Sequence, residues 1–166
     1  PPAFTGTPRP RDEPTAENPP WGAYIDYELA NAPSKPVELS VYDANGKLVR
    51  HYSSADLPEK PDLSKINMTA DWMHVPSVLQ ASAGLHRFVW PLRYAPQAAL
   101  ADGDPYKDGV WAPPGNYTVE LKADGRTFKQ PLVVIADPRV HLSADAFAQQ
   151  FALARQVEDL QAKLAT

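Results

Sequence analysis

At 166 residues, 43% of them apolar and with a formal net charge of −4, the chain has enough material for one domain with its own hydrophobic core. A slightly acidic balance without a basic cluster argues against a nucleic-acid partner, which needs concentrated Lys and Arg. No apolar run approaches the roughly 18 residues needed to cross a bilayer, so no membrane partner is expected.

Two residue counts narrow the class further. Cysteine is absent, which removes disulfides, thiolate nucleophiles and Cys-ligated zinc. Proline occurs 19 times, well above its average usage of roughly 5%. Prolines at that density favour loops and edge strands over long helices, and so an all-β chain. Residues 1–20 hold seven prolines without apolar periodicity and read as an extended linker. With Pro1 in place of an initiator Met, the chain is expected to be a piece of a longer protein.

In Ala23–Leu29, residues Ala23, Ile25, Tyr27 and Leu29 share one face and Asp26 and Glu28 the other, the period of a half-buried strand. Val37–Tyr42 alternates again, with Val37, Leu39 and Val41 inward. Asn45-Gly46 then predicts a hairpin into Leu48–Ser53, because both residues tolerate φ > 0. Residues 54–83 lose the alternation, and a compact domain does not leave thirty residues without a role. They are expected to wrap across a sandwich as a Greek-key crossover, with Trp72 covering the core edge. Leu85–Trp90 places His86, Phe88 and Trp90 on one face, taken as inward because the rings bury most area. Pro91 ends that strand. A loop from Tyr94 to Ala112 follows, then Pro113-Pro114-Gly115-Asn116, read as a type II turn with Gly115 at the φ > 0 position. Tyr117, Val119 and Leu121 point inward, Asp124-Gly125 closes a two-residue hairpin, and Pro131 marks the last strand, Thr127–Ile135, as edge or bulged.

From Ser143 the period becomes helical. Ser143 is a good N-cap, Asp145 suits the helix dipole, and Leu142 and Phe147 stand at hydrophobic-staple positions. Phe147, Phe151 and Ala154 form one stripe; Leu153, Val157, Leu160 and Leu164 form a second, spaced four, three and four. The stripes lie roughly 90° apart. One is expected to dock on the sandwich and the other to face a partner, along a helix that continues past Thr166. The organisation is thus a linker at 1–20, an antiparallel β-sandwich at 21–140, and a helix at 141–166.

Catalytic and metal chemistry finds little footing. His51, His74, His86 and His141 show no ligand spacing, and His86 reads as a hydrogen-bonded, half-buried core histidine. Asp102, Asp104 and Asp108 do not follow the calcium-loop series and read as a solvated acidic loop. No nucleophile elbow or phosphate loop occurs, so no cofactor is expected. Asp26 and Glu28 could reach the separation of a glycosidase pair, but alternating charges on an outer strand face are commonplace. Trp21, Trp72, Tyr106 and Trp111 lie in loops or strand approaches and could contact a ligand or another domain. The helix residues Phe147, Phe151, Leu153, Val157, Leu160 and Leu164 are the expected docking set.

Several stretches together resemble the C-terminal Ig-like region of large bacterial proteins built on sortilin-type BNR-repeat propellers, commonly labelled glycosyl hydrolases. They are Glu17–Ala23 into Tyr24–Tyr27, Val41–Asp43 through Gly46 to Arg50, Ala83–Trp90, Pro113–Val119 and Ala136–Val140. The Gly-x-His-x-Phe-x-Trp and Pro-x-Gly-x-Tyr pieces are also similar to the Ig-like domain of flagellar hook-capping proteins. The resemblance spans roughly residues 17–155 and implies that the sandwich is Ig-like or fibronectin-like and serves as a non-catalytic accessory domain of an exported protein, extracellular or periplasmic. Its partners would be other domains of the parent chain, any hydrolase activity residing in the propeller. At Pro91 the chain departs from the family, which tends to carry Asp there, and any carboxylate role is lost. The alternative reading is a carbohydrate-binding module using the loop aromatics.

Overall fold

The computed structural model describes residues 19–57 and 76–165. The linker reading for the lead-in, and Trp72 and His74 in the crossover, fall outside the described residues. The elements are β1 (Ala23–Leu29), β2 (Glu38–Asp43), β3 (Leu48–Ser53), β4 (Gly84–Trp90), α1 (Ala98–Ala101), β5 (Gly115–Ala123), β6 (Arg126–Val134) and α2 (Ala144–Leu164). β1 and β4 pair antiparallel in one sheet; the other runs β3-β2-β5-β6, also antiparallel. The chain is an all-β sandwich with one long C-terminal helix. The connection after β3 does carry the chain from one sheet to the other.

Alternation places the side chains as read. Val37, Leu39 and Val41 are fully buried, as are Phe88 and Trp90, and Tyr27, Leu29, Tyr117 and Val119 join them. His86 is half-buried, its ring on Tyr27 and its Nε2 2.7 Å from the Ser82 carbonyl. Trp90 is the centre of the core. Its ring meets Tyr117 edge-on at 5.5 Å, and Nε1 donates to the Arg93 carbonyl at 3.0 Å. The Tyr117 hydroxyl donates to the Pro113 carbonyl at 2.6 Å. That bond ties the start of β5 to the backbone just upstream, in the manner of a tyrosine corner.

The turns depart from expectation in two places. At Asn45-Gly46 only Gly46 is left-handed; Asp43 Oδ1 accepts from the N–H groups of Asn45 and Lys47, both at 2.9 Å. The hairpin is therefore the longer type with one left-handed residue rather than the two-residue form. Gly115 has φ +158° and opens β5 opposite Val134, so no type II turn forms there. Asp124 and Gly125 both take positive φ, as a two-residue hairpin needs. Pro131 lies on β6, the edge of its sheet.

On the outer face of the larger sheet, His51, Ser40, Glu120 and Lys129 stand in register across four strands. Ser40 Oγ meets His51 Nδ1 at 3.0 Å, and Glu120 bonds Lys129 at 2.8 Å and Lys122 at 3.2 Å. The two lysine side chains shield the Glu120 carboxylate at the surface, and their hydrogen bonds hold its pKa below the usual range. Serine sits between histidine and acid here. This row therefore lacks the order of a Ser-His-acid triad, in which the imidazole stands between the other two.

At the entry to β1, Gly22 has φ +137°, and a Cβ there would lie 2.2 Å from the Trp90 carbonyl oxygen. Gly22→Ala should cost about 2–4 kcal/mol in a urea unfolding curve, from strain and displacement of the core tryptophan. A loss under about 0.5 kcal/mol would show that the approach is not obligatory.

Candidate interaction site

The loop between β4 and β5 is a built structure. Past Pro91, Leu92 takes φ +56°, a conformation branched residues rarely adopt. This reversal brings residues 92–95 beside 109–112. Ala112 N–H donates to the Leu92 carbonyl at 2.8 Å, Tyr94 N–H to Val110 at 2.9 Å and Gly109 N–H to Tyr94 at 2.9 Å. Arg93 and Trp111 pair across that short ladder. The four-residue α1 was not anticipated.

A buried cation holds the loop to the sandwich. Arg50 is 1% exposed. Its Nη1 donates to the carbonyls of Tyr94 at 2.9 Å and Lys107 at 2.7 Å, and its Nη2 to Pro105 at 2.8 Å. The guanidinium carbon also lies 5.1 Å from the Tyr52 ring centroid. A bulge in β3 assists. Val41 pairs Arg50 and Tyr42 pairs Leu48, so Val49 is the extra residue, and its carbonyl accepts from Ala95 N–H at 3.0 Å. Sequence reasoning missed Arg50. Its one signal was an alternation partner, Tyr52, that is buried.

α2 docks on this loop. Ser143 caps it, accepting from Ala146 N–H at 3.2 Å. The Phe151 ring packs on Tyr94 at 4.9 Å, and the Arg155 guanidinium stands 5.7 Å from the same ring. Gln97, just before α1, donates to Asp159 at 2.6 Å. Glu158 is 5% exposed and accepts from Arg155 at 2.6 Å. Gly109 makes room for it, since a Cβ there would lie 2.8 Å from Glu158 Oε1 and 2.9 Å from the Ala95 carbonyl. Desolvation raises the Glu158 pKa against the pull of Arg155.

Between the loop and the helix runs an open groove of about 1050 Å³. Trp111, Pro113 and Pro114 form one wall; Phe147, Leu153 and Val157 contribute to the other. Trp111 is 54% exposed. Its ring is backed on one face by Arg93, whose guanidinium carbon is 3.4 Å from the centroid and whose Nη1 donates to the Gly109 carbonyl. Burial pushes the Arg93 pKa down, opposed by the nearby Asp108.

The expected site residues divide. Trp111, Phe147, Leu153 and Val157 meet at the groove. Phe151 faces the domain, whereas Leu153, Val157, Leu160 and Leu164 are 63%, 47%, 59% and 88% exposed. The phenylalanine stripe is therefore the docked one. Trp21 is exposed at the entry to β1, on no part of the groove lining. Tyr106 presents no ring to solvent: it is buried against Tyr52, with ring centroids 5.8 Å apart. Among the acids, Asp102 ion-pairs Lys107, and Asp104 accepts from Tyr106 N–H at 2.8 Å. Asp26 takes both oxygens to Arg87 at 2.7 Å, and the guanidinium lies over the Tyr24 ring. Comparison of the chain with family models, curated proteins and solved structures found no match.

Replacing Arg50 by Met should leave the Pro105 and Lys107 carbonyls without this donor, while Tyr94 keeps the Gly109 N–H, and cost about 2–5 kcal/mol. Amide exchange should then rise across 92–112 and α2 before the sheet cores; uniform acceleration would contradict a local clasp. Glu158 carries a pH signature. Its folded pKa lies above the unfolded one, so its contribution is full below the ordinary carboxylate range and fades as pH rises through the folded value. Stability measured from pH 4 to 7 should fall more steeply in the native chain than in Glu158→Gln; parallel curves would remove Glu158 as the cause.

Proposed function

We propose that the chain is a non-catalytic accessory domain of a larger exported protein of the BNR-propeller type it resembles, packing against other domains of that protein through the Trp111–α2 groove. The observation that carries this reading is the continuous apolar surface left open on a firmly held scaffold. Trp111, Pro113, Pro114, Leu153 and Val157 converge there, and such patches mark protein contacts. The surface is mounted on rigid parts, which lowers the ordering cost of association. Carboxylate chemistry gains no support from Asp26, which is locked to Arg87 on the outer face of β1.

A second reading, a carbohydrate-binding module, draws on the exposure of Trp111 and Trp21. Against it, Arg93 already draws on the π-density of Trp111, the property that a sugar stacking face uses. Tyr106, buried, adds no platform.

The test is a chain extended to its neighbouring domains. Trp111 emission should shift to the blue relative to the isolated domain, and amide protection should appear at residues 150–157. Leu153→Glu should reverse both. A groove that stays equally exposed in the longer chain overturns the proposal. Polysaccharide titrations of the isolated domain should leave Trp emission unchanged; a saturable shift abolished by Trp111→Ala would favour the sugar reading.

A further inference from the structure

The second stripe of α2 extends past the groove. Leu153 and Val157 share its rim, but Leu160 and Leu164 are not among its lining residues. At 100° per residue, Leu153, Val157, Leu160 and Leu164 fall within a band roughly 60° wide, turned well away from the docked Phe151 and Glu158. Their spacing of four, three and four is that of the a and d positions of a two-helix seam. A flat or extended ligand would not require that repeat.

From this seam we infer a self-association site: two copies of the chain pair through the solvent-facing stripe of α2. Three observations favour a second copy as the occupant. The seam is self-complementary, aliphatic side chains of similar size meeting their own kind, as an interface with twofold symmetry requires. The positions flanking it, Ala154, Gln156, Gln161 and Lys163, bring no like charges together in either helix direction: parallel packing sets Gln156 beside Gln161 of the second copy, antiparallel packing sets Gln156 beside Lys163. The area also fits. Wholly covered, the exposed fractions of the four side chains, with the stems of the flanking glutamines, would come to roughly 1,000 Å² for a pair, about the least that a specific interface needs. The association is therefore weak and reversible. It goes beyond the groove reading and competes with it for Leu153 and Val157, which either partner would cover; Leu160 and Leu164 belong to the seam alone and set the two apart.

Sedimentation of the 166-residue chain from about 10 µM to about 1 mM should show a monomer–dimer equilibrium, with Kd of order 100 µM. Leu160→Lys with Leu164→Lys should weaken it at least about tenfold. Both positions are exposed, so circular dichroism and thermal unfolding should match the native chain and confirm that the variant folds. Trp111→Ala should leave the dimer constant within about twofold, separating the seam from the groove. A chain that stays monomeric throughout, a dimer that survives both lysines, or one lost on Trp111→Ala alone would each overturn the inference.

Discussion

The buried guanidinium of Arg50 is the constraint on which the rest of this molecule leans. It is donated by β3, yet its hydrogen bonds go to Tyr94, Pro105 and Lys107, all in the loop between β4 and β5. Each charge-assisted bond is worth about 1.5–3 kcal/mol, and a cation with 1% exposure has no water to fall back on. That is enough to outweigh the entropy of ordering several loop residues at about 1–2 kcal/mol each, once the 92–95 and 109–112 ladder shares the load. Without the clasp, a twenty-residue excursion containing Gly, Pro and three aspartates would be a solvated loop. With it, the excursion becomes a shelf.

The helix rests on that shelf and not on a bare sheet. Phe151 packs on Tyr94, whose carbonyl is one of the three held by Arg50; Gln97 donates to Asp159, and Glu158 faces Gly109. Position therefore passes from strand to loop to helix through contiguous bonds, and the groove between Trp111 and α2 inherits its width from them. The strain at Leu92 belongs to the same chain of dependence. A left-handed leucine costs of order 1–2 kcal/mol, and its effect here is to turn Arg93 under the Trp111 ring. Loop, helix and groove thus stand or fall together, while the strands of the two sheets pair independently of them.

How much of this was legible follows from range. Strand faces, the Asp124-Gly125 hairpin and the Ser143 cap are decided within a few residues, and the alternation of Val37, Leu39 and Val41 or Phe88 and Trp90 read through to full burial. The two helix stripes were legible as stripes. Which one docks was not, because that depends on Tyr94 meeting Phe151, a contact fifty-seven residues apart in the chain. Arg50 was illegible for a related reason. A charged residue in an edge strand ordinarily faces water, and only the loop carbonyls brought to it in the fold make burial favourable. Tyr106 shows the reverse error: an aromatic in a polar loop looked available, but the fold turns it onto Tyr52. Gly115 was read from its proline neighbours alone, whereas pairing with Val134 extends it into β5.

The distribution of exposed apolar groups carries the last step. β6 is an open sheet edge with Phe128 and Val133 exposed, and it is guarded: Pro131 cannot donate a hydrogen bond, and Lys129 stands beside it. The outer face of the same sheet is covered by the Glu120 ion pairs with Lys122 and Lys129. The Trp111–α2 surface has no such protection. Arg155 is bonded to Glu158 and Asp159 to Gln97, both on the docked side of the helix, so these three charges are held away from the stripe that faces solvent, which Lys163 flanks. The positions left flanking the seam are mostly glutamine and alanine. A domain that guards one hydrophobic edge and leaves another unguarded distinguishes between them physically: the first is kept from association, and the second is left able to associate.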